Sequence, residues 1–446
     1  MSRKILAVAL LLLARVALPA QDTPPGKFTL LKAARLLDVK TGKYVMNAGV
    51  LIENDKIKEA GPVAAVQSHA PKEAKVIDLG SATLLPGLID CHAHLLTSGT
   101  SISSQEIIVN AVAGMSPTAR VLLGAHNAHE DLEAGFTAVR VVGHSGIDGD
   151  VSLRDAIESG WLQGPRIRAA ARKLAPPGGQ ALRLNPALSD QIIHQEFLKV
   201  SGADQARKAV RENLFYGADL IKVVADDNNR FITPEEMKAI VEEAHRARVK
   251  VAVHATTVTG IQVAVDAGAD SIEHGDDVTD EQLKAMREKG IFLDITQLLY
   301  GGRLRRMIEK RMVLPPELQQ ELKEYEQMEA QKTPVFIQKV LKSGVKFAAG
   351  SDMWFDYPEK NRGEATAIMF GALKDAGIPA VDVIRASTVS AAELLGWQDR
   401  LGTLEPGKFA DIIAVAGDPL GDITQLEHVQ FVMKGGEVVK NTFQKK

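Results

Sequence analysis

The run Leu84-Leu85-Pro86-Gly87-Leu88-Ile89-Asp90-Cys91-His92-Ala93-His94 decides how this chain is read. A Pro-Gly turn admits a short apolar segment, and that segment closes on two histidines one residue apart. Side chains at i and i+2 of a strand share a face. His92 and His94 therefore project together from the C-terminal end of a strand, as two ligands of one metal ion must. A strand whose tip merely carries two polar residues has the same sequence, and His-x-His alone does not separate the two readings. The other strand ends do.

Downstream of Pro86, strand and helix patterns alternate, as parallel βα units require. Apolar strand segments fall at 87–92, 137–142, 166–171, 220–224, 250–254, 271–274, 291–295 and 345–350. Amphipathic segments separate them. One begins Thr233-Pro234-Glu235-Glu236, with Thr233 as N-cap and Pro234 at the first helical position. Eight such units over roughly 300 residues predict a TIM (β/α)8 barrel. The segment 303–332 is strongly charged and helical in pattern, broken by Pro315-Pro316. It fits an outer helix with a solvated face, and its place after the seventh strand also fits a lid over the barrel mouth.

Both ends of the chain differ from this middle. Residues 28–79 read as short strands, with a hairpin across Glu53-Asn54-Asp55 and no helix of ordinary length. Beyond Trp397 the strands return at 410–415 and 430–434, and Gly435-Gly436 turns the chain into another. The expected α/β architecture is thus a barrel at 86–400 with a small composite β-sandwich built from 21–85 and 401–446. Ahead of it, Arg3 and Lys4 precede the apolar residues 5–13, and Leu18-Pro19-Ala20 leads into Gln21. This predicts a signal peptide at 1–20 and a secreted or periplasmic protein. The apolar run is short for a membrane span and is followed by Arg15, so no stable membrane association is expected after cleavage.

Composition narrows the function classes. The 446 residues are 45% hydrophobic and 24% charged, enough to bury a large core. A net charge of -3 gives no support to nucleic-acid binding or a polybasic membrane role. Cys91 is the single cysteine, so no intramolecular disulfide forms. Its side chain should face away from the two histidines and pack against helices.

Read at their C-terminal ends, the strands carry His92 and His94 on the first, Lys222 on the fourth, His254 on the fifth, His274 on the sixth and Asp352 after the eighth. Strand C-termini of a barrel meet at one mouth. Each residue alone has a bland explanation, but Lys222 resists it. Within Leu220-Ile221-Lys222-Val223-Val224 its ammonium is desolvated, which lowers its pKa.

The chain resembles the amidohydrolase superfamily. The resemblance rests on residues 85–94, Gly135-Phe136-Thr137-Ala138-Val139-Arg140, Gly164-Pro165-Arg166-Ile167, Ile221-Lys222, His254, Ser271-Ile272-Glu273-His274-Gly275 and Gly350-Ser351-Asp352. It continues through 401–411, 417–420 and 432–436. It resembles most the imidazolonepropionase-related group that includes Xaa-Pro dipeptidases, other carboxypeptidase-like members and ochratoxin-hydrolysing amidases.

This resemblance implies that His92, His94 and Asp352 hold one divalent metal, and His254 and His274 a second. Lys222, carboxylated by carbon dioxide, would bridge the two. Zinc suits such donors best, though other first-row metals fit. The metals would lower the pKa of a shared water and polarise a carbonyl. Asp352 would serve as general base and then acid. Deaminases of the superfamily carry a glutamate soon after the fifth-strand histidine, whereas His254 is followed by Ala255-Thr256-Thr257. That favours hydrolysis of an amide in a small peptide-like or N-acyl amino acid substrate. Opening of a cyclic amide, lactone or carbamate at the same site is the alternative, and a non-catalytic binding protein a third.

For substrate contacts the candidates are His144, Arg230 and Gln180. Gln180 stands in Gly178-Gly179-Gln180, where the group often has Gly-Gly-His. His144 and Arg230 read equally as loop residues. Association into a homo-oligomer is compatible with the sequence.

Overall fold

The structure, a computed structural model, describes residues 26–101, 103–227 and 229–443. The signal peptide expected at 1–20 lies outside them. No helix among the described residues is long and apolar enough to cross a membrane.

Strands from both ends of the chain form one eight-stranded sheet. Its order is Glu437–Asn441, Phe431–Lys434, Ile412–Val415, Thr83–Pro86, Phe28–Asp38, Lys43–Glu53 and Lys56–Pro62, with Lys75–Asp78 pairing alongside Phe28–Asp38. The hairpin expected at 53–55 is present, with Glu53 opposite Lys56 and Asn54 in the left-handed region at φ 57°. Asparagine tolerates that conformation better than most side chains. The two termini meet where Leu85 pairs with Ile413. Alternate residues such as Leu31, Val50, Ile52, Ile412 and Phe431 bury together as this sheet's own core. The stretch read as strands alone contains one short helix, the seven-residue Val63–His69, which covers Gly49 and Leu51.

All eight strand segments of the middle region form, as Leu88–Ala93, Phe136–Val141, Arg166–Ala169, Leu220–Val224, Lys250–Ala255, Ser271–His274, Phe292–Ile295 and Phe347–Ala349. They are parallel to their neighbours, three forming one sheet and five lying in a second, seven-stranded sheet. Backbone bonds link the sheets at both edges, from Asp219 N to Ala169 O (2.7 Å) and from Asp352 N to His92 O (2.8 Å). A parallel bridge between Ala93 and Met353 adds to the second link.

The third segment stops at Ala169, two residues short of its expected end, and resumes as Lys173–Ala175. The buried Asp150 carboxylate accepts the Ala170 and Ala171 N–H groups at 3.0 Å each, and Ala171 sits at φ 56°. Those amides have left the ladder for a side chain, so the strand breaks there.

Thr233 caps the helix Pro234–Arg246 as expected, in a capping box with Glu236. Cys91 is buried among Ala391, Leu394 and Trp397, between strand and helix. The charged segment resolves into two helices, Arg303–Glu309 and Pro316–Ser343, the second running well past Lys332. Leu322, Ile337 and Val340 are its buried contacts with the body, leaving much of its surface solvated.

Candidate metal centre

The strand ends bring the expected donors together. His94 Nε2 lies 3.1 Å from Asp352 Oδ1, and His92 Nε2 3.6 Å from the same oxygen. The His92 ring centroid is 5.3 Å from that of His94 and 5.0 Å from that of His274, which is 4.7 Å from His254. One donor atom from each of His92, His274 and Asp352 fits within a 4.8 Å span, the compass of a single metal ion.

Three of the four imidazoles are held at their far nitrogen. His92 Nδ1 is 3.0 Å from Glu273 Oε2 and 3.3 Å from Asp294 Oδ2. His94 Nδ1 donates to Gly143 O at 3.0 Å, and His274 Nδ1 lies 2.7 Å from Thr296 Oγ1. Such second contacts fix the tautomer that leaves the other nitrogen free for a metal. Burial, together with the Lys222 charge, keeps His92 and His254 well below the usual imidazole range, in the neutral form that ligation needs. Burial opposes ionisation of Asp352, but the surrounding imidazoles hold its carboxyl below the ordinary carboxylate range.

Packing enforces this arrangement. At Gly350 a Cβ would fall 2.3 Å from the His92 Cβ, so only glycine lets the eighth strand close on the first. His274 and Asp352 hold left-handed backbone at φ 69° and 50°. That costs about 1–2 kcal/mol per residue, and such strain concentrates at functional sites.

Lys222 occupies the middle. Its side chain is 2% exposed, and its amine has no hydrogen-bond partner among the described residues. Burial pushes its pKa down to about 8. An unpaired buried polar group of this kind marks a missing partner.

Beneath the histidines lies a network that motif reading did not assign. Arg140 donates to Glu273 Oε2 at 2.5 Å, Asp294 Oδ2 at 3.1 Å, Ser271 Oγ at 3.0 Å and the Cys91 carbonyl at 2.6 Å. Although burial opposes it, Arg140 holds the Glu273 carboxyl well below its usual range. Asp294, desolvated beside that charge, is pushed well above. One carboxylate, one carboxylic acid and one guanidinium then balance. Asp90 plays the corresponding part for the eighth strand, accepting from the N–H groups of His92 and Ser351 at 2.9 Å each and from Ser351 Oγ at 2.6 Å. The available signal was a charged residue inside each apolar strand.

Of the substrate candidates, His144 is at the centre, its ring 4.6 Å from that of His94. Gln180 reaches it indirectly, through Lys173. Arg230 is held away by Asp227 Oδ2 (2.7 Å) and Ala181 O (3.2 Å), and lines a separate cavity of about 740 Å³. A cavity of about 1040 Å³ opens beside the donors, bounded by His274, Asp352, Trp354, Tyr300 and the Tyr325, Met328 and Glu329 face of the long helix. The charged segment is thus both outer helix and cavity wall.

Parallel βα units with such donors at their strand ends, taken with the relatives below, define an enzyme: a hydrolase acting on C–N bonds. The chain belongs to the amidohydrolase family, whose model matches residues 83–439. Ochratoxinase of Aspergillus niger is 29% identical over 96% of this chain and 90% of its own, and its crystal structure superposes with a TM-score of 0.76. The crystal structure of a Xaa-Pro dipeptidase with methionine bound in the active site is 30% identical, with a TM-score of 0.77 over 93% of this chain and all of that one. An imidazolonepropionase of Sphingopyxis alaskensis is 26% identical over 84% of this chain and 88% of its own.

Proposed function

We propose that this chain is a binuclear metal amidohydrolase that cleaves the amide of a peptide-like or N-acyl amino acid substrate. The observation that carries this reading is the convergence of four histidines and Asp352 around a buried lysine amine without a partner. These residues fit a metal pair. His92, His94 and Asp352 would hold one ion, His254 and His274 the other, and Lys222, carboxylated on its amine, would supply an anionic oxygen to both. Neutral imidazoles and carboxylates suit zinc. When bound, such a pair supplies an activated water and polarises the scissile carbonyl.

The chain's own residues do the rest. Glu273, Gly143 O and Thr296 hold the imidazoles in one tautomer each. Asp352, ionised and facing the cavity, takes a proton from the attacking water and returns it to the leaving nitrogen. The cavity beside it accepts a substrate of dipeptide size or larger. Relatives whose names describe an ochratoxinase and a Xaa-Pro dipeptidase support an amide with an amino acid on one side.

The same reading takes the two parallel sheets as the wall of one eight-fold barrel at 86–400, flanked by a sandwich of 21–85 and 401–446. It also takes 1–20 as an export signal. A crystal structure with anomalous metal data tests the centre. Two metal peaks bridged by density extending from Lys222 are expected, and one metal beside an unmodified lysine refutes it. A panel of dipeptides, N-acyl amino acids and lactones tests the substrate class, and turnover of lactones alone overturns it.

A further inference from the structure

A second buried lysine lies beside the first. Lys173 is 1% exposed and among the largest fully buried side chains of the protein. Its Nζ donates to Gln180 Oε1 at 2.6 Å and lies 2.9 Å from His144 Nε2, with the Phe197 ring centroid 4.8 Å away. Among the described residues no salt bridge joins a carboxylate to it; Glu196, whose Oε2 lies 3.8 Å from His144 Nδ1, is bound at Oε1 by Arg120. An ammonium carries three donors, and these contacts use two.

The position is built. Lys173 starts a short strand whose register sets it opposite Phe197. Its stem crosses Gly143, where a Cβ would fall 2.5 Å from Lys173 Cγ. The same Gly143 carbonyl orients His94, and the His144 ring packs on the His94 ring. A buried cation is costly unless paired. Here its partners are an amide oxygen and an imidazole nitrogen rather than a carboxylate, so one donor is left for something that arrives. Gln180 Oε1 stands where one oxygen of a carboxylate would stand.

We infer that Lys173 determines specificity: it receives the carboxylate of an amino acid substrate, which replaces Gln180 Oε1 as partner of the ammonium while His144 holds the amine in place. This inference rests on the proposed amide chemistry only for the identity of the substrate. The positive charge one ring away from the metal ligands would then select anionic substrates over neutral ones.

The test uses the full-length, metal-loaded protein and two probes that differ only in charge, N-acetyl-L-methionine and its carboxamide. Binding is measured by calorimetry and turnover by amine release. The wild type is expected to bind the acid at least about tenfold more tightly, and Lys173→Met to bind the two within about threefold. Lys173→Arg should retain part of the preference. If Lys173→Met fails to fold, Gln180→Glu places a carboxylate on the ammonium and should abolish the preference with the lysine in place. A wild type without preference, or one that binds neither probe, overturns the inference, as does a preference that survives both substitutions. Absence of turnover with the binding preference intact would instead count against the amide-cleaving function.

Discussion

Asp352 is where burial and chemistry oppose each other most directly. Partly buried at the cavity wall, it hydrogen-bonds His94 and sits 3.6 Å from His92 Nε2. Asp352→Asn keeps the shape and removes the base. We expect kcat to fall by about 10²–10⁴-fold with KM little changed, the range that proton transfer commands; steady-state kinetics on any turned-over amide reads it. Arg140 poses a different problem. It neutralises Glu273 in a region without solvent, where both carboxylate side chains are fully buried. Arg140→Met should destabilise the fold by about 3–5 kcal/mol, because it strands a buried charge. Urea unfolding of the purified variant measures this. Loss of stability with normal metal content would separate the scaffold role from the site.

Among elements, the helix Pro316–Ser343 joins a structural duty to a functional one. Its buried side chains seat it on the protein, while Tyr325, Met328 and Glu329 face the cavity beside Asp352. Met328→Trp should fill part of that cavity without touching a donor. KM is expected to rise about tenfold with kcat held, the signature of lost uniform binding. A kcat that falls in step with kcat/KM would show instead that the helix shapes the transition state. The broken third strand is an equally local device. By ending at Ala169 and resuming at Lys173, it sets the second lysine beside His144.

At the scale of the molecule, a charged cluster joins the terminal sheet to the parallel sheets. Arg166 donates to Asp411 at 2.9 and 3.1 Å and stacks over Phe409 at 3.8 Å. Asp411 also accepts the Gly435 N–H at 2.8 Å, and Lys434 donates to Gly164 O at 2.5 Å. Asp411→Ala leaves a half-buried arginine and a backbone amide unpaired, at a cost of about 3 kcal/mol. We expect denaturant unfolding followed by fluorescence to show a lowered midpoint and one transition for the whole chain. Two separated transitions would mean that the sheets fold independently of this joint.

Hydropathy period and residue identity by themselves determined the parallel βα order, the two-ended β-sheet and the six polar residues read at the strand ends. These are local properties: a strand's alternation decides which side chains share its tip, and parallel strands bring their tips to one end. His92, His94, Lys222, His254, His274 and Asp352 were legible for that reason. What stands opposite each of them was decided only in three dimensions. The role of Glu273 and Asp294 shows only where Arg140 meets them. Arg230 read as either a loop residue or a substrate contact, and Asp227 pairs with it beside a separate cavity. Lys173 drew no attention, because a lysine near a strand end is ordinarily solvated. Burial and pairing depend on residues far away in the chain, and they shift the ionisation of His92, His254 and Asp352.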